Sequence, residues 1–70
     1  MWSAELTNNP EQEYLLYIEL LEDDVYRGRI ELDGEGQPFL RIYPTESGTF
    51  IPGNWLKDIL AKAREELSQV

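Results

Sequence analysis

Tyr14-Leu15-Leu16-Tyr17-Ile18-Glu19-Leu20-Leu21-Glu22-Asp23-Asp24-Val25-Tyr26-Arg27-Gly28-Arg29-Ile30-Glu31-Leu32 is the stretch on which the fold turns. Two runs rich in aromatic and β-branched residues flank an acidic break, the pattern of a β-hairpin. In the first run one parity holds Tyr14, Leu16, Ile18 and Leu20; in the second, Tyr26, Gly28, Ile30 and Leu32 share a parity. Directly opposed residues of an antiparallel pair point to the same face, so the register must bring these two sets together. Leu20 opposite Tyr26 and Ile18 opposite Gly28 does so, with an odd-length loop centred on Asp23. A three-residue hairpin needs one left-handed residue, a conformation aspartate tolerates.

Outward from this pair, Pro38 to Tyr43 reads as a third strand, with Leu40 opposite Leu32 and the glycines of Asp33-Gly34-Glu35-Gly36 making the return. Thr49 to Ile51 is a candidate short fourth strand, and Met1 to Thr7 a further edge strand anchored by Trp2. Asn54 has the character of a helix N-cap. Beyond it Leu56, Ile59, Leu60, Ala63, Leu67 and Val70 recur at helical spacing, predicting an amphipathic helix over 55–68. That helix is expected to cover Leu16, Ile18, Ile30, Leu40 and Ile42. A competing reading makes Glu11 to Glu22 a helix, started by Asn9-Pro10. Its apolar residues would lie all round, and the strand is preferred. The fold class is therefore α+β: an antiparallel meander of three to five strands (approximately 14–21, 25–32, 38–43 and 49–51) packed against one C-terminal helix, with 1–70 as a single domain.

At 70 residues the chain buries only about 60% of its unfolded surface, so its core has little reserve. It has no cysteine and no histidine, which removes disulfides and nearly all transition-metal sites and leaves packing or oligomerisation to supply stability. Homodimerisation is expected on that ground. Fourteen acidic against six basic residues give a net charge of -8, a balance that repels phosphate backbones and anionic membranes and suits solubility or a partner with a basic surface. No apolar stretch approaches the ~20 residues of a membrane span. Met1-Trp2-Ser3-Ala4-Glu5 has neither the basic region nor the apolar run of a secretory signal, and a cytoplasmic location is expected.

Catalysis at neutral pH calls on groups that titrate there, and without histidine or cysteine only carboxylates, serines, tyrosines and lysines remain. The acids gather at Glu22-Asp23-Asp24 and Asp33-Gly34-Glu35, on hairpin loops with little cleft to desolvate them. Asp33-Gly34-Glu35-Gly36 lacks the calcium-loop pattern and its distal glutamate. No cofactor is expected, and the chain reads as a non-enzyme. The chosen register leaves an outer sheet face of Tyr17, Glu19, Arg27, Arg29, Glu31, Phe39, Arg41 and Tyr43. Aromatics interleaved with arginines could stack bases and pair phosphates. Yet the register sets Glu19 opposite Arg27, Glu31 opposite Arg41, and Arg29 between Tyr17 and Tyr43, so cross-strand pairs and a cation–π stack absorb much of that charge. The surface that remains, Tyr17, Arg27, Arg29, Phe39, Arg41 and Tyr43, has the residue types enriched in protein interfaces.

The element order, and Phe50-Ile51-Pro52-Gly53-Asn54-Trp55-Leu56-Lys57-Asp58-Ile59-Leu60 at the strand-to-helix junction, resemble the PC4-like single-stranded-DNA-binding coactivators. The resemblance covers about fifty residues of element order and one short motif. It implies dimerisation through the helix and a concave sheet facing single-stranded DNA, with Arg27, Arg29 and Arg41 at the DNA-facing positions. This chain departs from that pattern in having no lysine-rich strand or loop and in the sign of its net charge. A homodimeric protein-interaction or regulatory module, using its aromatic sheet face or an open sheet edge, is the leading expectation, and a PC4-like single-stranded nucleic-acid-binding transcriptional regulator the alternative.

Overall fold

The computed structural model describes residues 1–9 and 15–68. Tyr14, the Asn9-Pro10-Glu11 helix start and Val70 of the apolar stripe involve positions outside the described residues or side chains. Four antiparallel strands lie side by side in chain order: β1 (Trp2–Asn9), β2 (Leu15–Glu22), β3 (Val25–Leu32) and β4 (Pro38–Ile42). Helix α1 (Gly53–Leu67) follows. This is the α+β meander with a C-terminal helix, and Leu15 to Glu22 is strand, not helix.

The central hairpin turns more tightly than the parity reading requires. Glu22 stands opposite Val25, leaving a two-residue loop in which Asp23 (φ 50°) and Asp24 (φ 68°) are both left-handed. Positive φ at both central residues is the mirror-image turn whose twist matches the flanking strands. Continued unbroken, this register would set Leu20 against Arg27 and separate the two apolar sets. Instead Leu21 faces Tyr26 while Leu20 faces Gly28, so Arg27 is an extra residue bulged out of β3. Beyond the bulge Ile18 pairs with Ile30 and Glu19 with Arg29. The three-residue loop, and the Leu20–Tyr26 and Ile18–Gly28 pairs, are thereby corrected. Because both aspartates accept the left-handed region, the parity is restored inside the strand and not in the loop.

The β3–β4 register also sits two residues from expectation, with Ile30 opposite Leu40 and Leu32 opposite Pro38. Asp33 is the reason. Its Oδ1 accepts hydrogen bonds from the backbone N–H groups of Glu35 and Gln37, each at 2.9 Å. Its own N–H donates to the Gln37 carbonyl at 2.9 Å, closing a short loop through left-handed Gly36. No strand forms at Thr49 to Ile51: the segment bracketed by Pro44 and Pro52 has to leave the sheet edge to reach the helix. The helix begins at Gly53 with Pro52 in the cap position, φ -60°, so Asn54 lies inside the first turn and caps nothing.

The core lies between α1 and one sheet face. Ile18, Leu20, Ile30, Ala63 and Leu67 are buried, and Trp2, Leu16, Leu32, Leu40, Trp55, Ile59 and Leu60 pack around them. Ile42, expected beneath the helix, is 40% exposed at the edge. Edge strand β1 runs past Thr7 to Asn9, and its Trp2 packs on Trp55 of the helix with ring centroids 5.5 Å apart.

Candidate interaction surface

Since α1 covers the face holding Leu16, Ile18, Ile30 and Leu40, strand alternation turns Glu5, Tyr17, Glu19, Arg29, Glu31, Phe39 and Arg41 to the other face. At its centre is Glu19, only 9% exposed, with Glu5 opposite on one side and Arg29 on the other. Tyr43, just beyond β4, donates its phenolic O–H to both oxygens of this carboxylate, at 3.0 and 3.1 Å. Burial, then the hydrogen bond to Glu19, pushes the Tyr43 phenol up to about 12. A phenol so held is a weak acid and a fixed donor, a tie between the sheet edge and β2.

The arginines form a second cluster. Arg29 and Arg41 stand directly opposite each other, an arrangement that like charges disfavour. Glu31 relieves it: its Oε2 lies 3.5 Å from Arg29 Nε and 3.3 Å from Arg41 Nε. The Arg29 guanidinium sits 5.3 Å from the centre of the Tyr17 ring, and that of Arg41 5.9 Å from the Phe39 ring. Arg27 stands apart, its Nε hydrogen-bonded to Glu22 at 3.2 Å.

The structure thus brings Tyr17, Arg29 and Tyr43 together around Glu19, and Phe39 with Arg41 beside them; Arg27 is not part of the group. The expected Glu19–Arg27 opposition is replaced by Glu19–Arg29, and Glu31 stands opposite Phe39 while still reaching Arg41 diagonally. The face is also less open than its composition implies. Leu21 is only 4% exposed and lies outside the helix-side cluster, Tyr17 and Tyr43 are half-buried, and Phe39 and Arg41 are exposed, as is Glu5 on β1. Glu19 as a buried hub is the residue the sequence reading passed over. Its signal is a single charge inside the apolar run Leu15 to Leu21.

Among the described residues, no helix is long and apolar enough to cross a membrane. No family model, curated protein or solved structure matches this chain.

Proposed function

We propose that this chain is a non-enzymatic protein-interaction module, homodimeric and cytoplasmic, that docks a partner with a basic surface on its outer sheet face. The observation that carries this reading is the exposed Phe39–Arg41 pair, its guanidinium tied by an ion pair to the half-buried Glu31. An aromatic–arginine pair on a rigid, internally bonded platform is the kind of anchor that dominates interface energetics. The net charge of -8 supports long-range attraction of a basic partner.

The test is affinity capture from the host with the wild-type chain beside Phe39→Ala/Arg41→Ala, both shown to be folded by circular dichroism. Partners retained by wild type and lost from the variant support the face; identical captures remove it.

A PC4-like single-stranded nucleic-acid binder is the second reading, favoured by one observation: Arg29 and Arg41 lie side by side on an aromatic-bearing face. Against it, Glu31 pairs with both. Titration of a labelled oligonucleotide at low salt decides, since phosphate binding weakens steeply with added salt and no binding at about 50 µM protein ends this reading.

A further inference from the structure

The two edges of the sheet are built differently. Met1 accepts a backbone hydrogen bond from Asp23 at 2.9 Å, which fixes the phase of the β1–β2 ladder. Odd-numbered residues of β1 bond to β2, and Trp2, Ala4, Leu6 and Asn8 turn their peptide N–H and C=O groups outward. At the other edge, Tyr43 N–H donating to Arg27 C=O likewise turns Pro38, Leu40 and Ile42 outward. There the shorter strand begins with a proline, which has no donor, and carries Arg41. Proline and charge are the usual protections of an edge. β1 has neither lysine nor proline, only one charged side chain (Glu5), and Leu6 at mid-strand is 54% exposed.

We infer that β1 pairs antiparallel with β1 of a second copy of this chain, about a twofold axis through Leu6, joining two sheets into one of eight strands. Only an even register lets outward-facing residues meet outward-facing ones. Centring on Glu5 would set Glu5 against its own copy, a directly opposed like-charge pair. Centring on Leu6 sets Leu6 on Leu6, Ala4 on Asn8 and Glu5 on Thr7 of the other copy. It also covers the exposed leucine with an identical one.

The helix supports the same centre. A cleft of about 350 Å³ beside β1 is lined by Ala4, Leu6 and Ile18 from the sheet and Ile59, Lys62 and Glu66 from α1. Trp55 packs on Trp2 at one end of the helix and Leu67 lines a cleft with Leu16, the partner of Asn8, at the other, so α1 runs in the same sense as β1. At ~1.5 Å per helical residue and ~3.3 Å per strand residue, Lys62 and Glu66 fall on either side of the level of Leu6. The twofold then turns Lys62 of each copy toward Glu66 of the other across one shared groove. Centring on Ala4 loses this complementarity. Edge pairing alone covers less than a standard interface of ~1,200–2,000 Å², so a micromolar, concentration-dependent dimer is expected.

This deepens the homodimer part of the proposed function and rests on neither Phe39 nor Arg41, so Phe39→Ala/Arg41→Ala leaves it untouched and the two readings fail separately. The absence of native cysteine makes single-cysteine scanning clean. Leu6→Cys, on the axis, should oxidise to a covalent dimer at least tenfold faster than Ala4→Cys or Glu5→Cys. An equimolar mixture of Ala4→Cys and Asn8→Cys should cross-link to each other in preference to themselves. Sedimentation of the wild-type chain should show a monomer–dimer equilibrium, and Leu6→Lys should shift it to monomer with the circular dichroism spectrum retained. A species of 8.2 kDa alone at several hundred micromolar overturns the proposal. So does fastest cross-linking at Ala4 or Glu5, or a dimer that survives in Leu6→Lys.

Discussion

Replacing Gly28 with alanine distinguishes the observed strand register from its nearest rival by the sign of the stability change. Gly28 is buried on β3 opposite Ile42 and its φ is not positive, so any side chain is conformationally allowed there and only space excludes it. A Cβ at this position would lie 2.6 Å from the Arg41 carbonyl oxygen and 3.1 Å from Ile42 Cδ1. The first neighbour is backbone, fixed by the ladder that also holds Tyr43 N–H to Arg27 C=O at 2.9 Å. Relief requires β4 to move away by most of an ångström. Overpacking of this kind costs ~1–3 kcal/mol, offset by the ~0.5–1 kcal/mol gained when glycine's freedom is removed from the unfolded chain. The net loss is about 1–2 kcal/mol, from a total of about 4–10 kcal/mol for a chain of this size. In melting temperature that is a fall of roughly 5–15 °C. Had Leu40 stood opposite Leu32, Gly28 would face Pro44 beyond the strand, and alanine would stabilise by the entropy term alone. Urea unfolding followed by far-UV circular dichroism reads the difference. Gly34→Ala serves as control, because nothing lies within 4 Å of its added Cβ. A Gly28→Ala midpoint equal to or above wild type would refute both the register and the argument.

Three further outcomes follow from the same geometry. Because the folded state holds the Tyr43 phenol at about 12 against about 10 in the unfolded chain, its contribution is complete below about pH 10 and is lost as pH rises toward 12; Tyr43→Phe should flatten that fall and remove a step near pH 12 from the tyrosinate absorbance titration. Glu31→Gln leaves Arg29 facing Arg41 without a carboxylate between them; a loss of about 1 kcal/mol is expected in low salt, shrinking with added salt and recovered by Arg41→Gln in the same chain. Asp24 is left-handed at φ 68°, so Asp24→Gly should raise the unfolding free energy measured in urea by about 0.5–1 kcal/mol, the reverse of the usual effect of glycine in a strand region, and an unchanged midpoint would count against the two-residue turn.

What could be read from the residues alone was periodicity. The parity of Leu16, Ile18 and Leu20 against Gly28, Ile30 and Leu32 names the buried sheet face, and the spacing of Ile59, Leu60, Ala63 and Leu67 names the helix face laid upon it. The register within that parity was not legible. Asp23-Asp24 is not one of the glycine-containing pairs that announce a two-residue turn, and nothing about Arg27 distinguishes a bulged residue from a paired one. Asp33 was read by its charge when its work is to accept two backbone N–H groups. Alternation says which way an outer-face side chain points and not whether a neighbour lies over it. It puts Tyr43 on the outer face but does not show that the phenol reaches across to the Glu19 carboxylate.

The bulge at Arg27 couples the core to the candidate surface. Without it the two-residue turn would set Glu19 against Gly28 and Ile18 against Arg29, placing a charge on the helix side of the sheet. One additional residue aligns Ile18 with Ile30 on the buried face and, in the same step, Glu19 with Arg29 on the outer face. It also leaves Arg27 free to pair with Glu22 near the turn. The charged network of the outer face is thus a consequence of the register the core demands: a change that removed the bulge would have to sacrifice the Ile18–Ile30 contact and the Glu19–Arg29 alignment together. Surface substitutions at Phe39 and Arg41, which lie on β4 away from the bulge, escape this coupling. They are therefore positions at which the proposed binding can be tested with the strand register left intact.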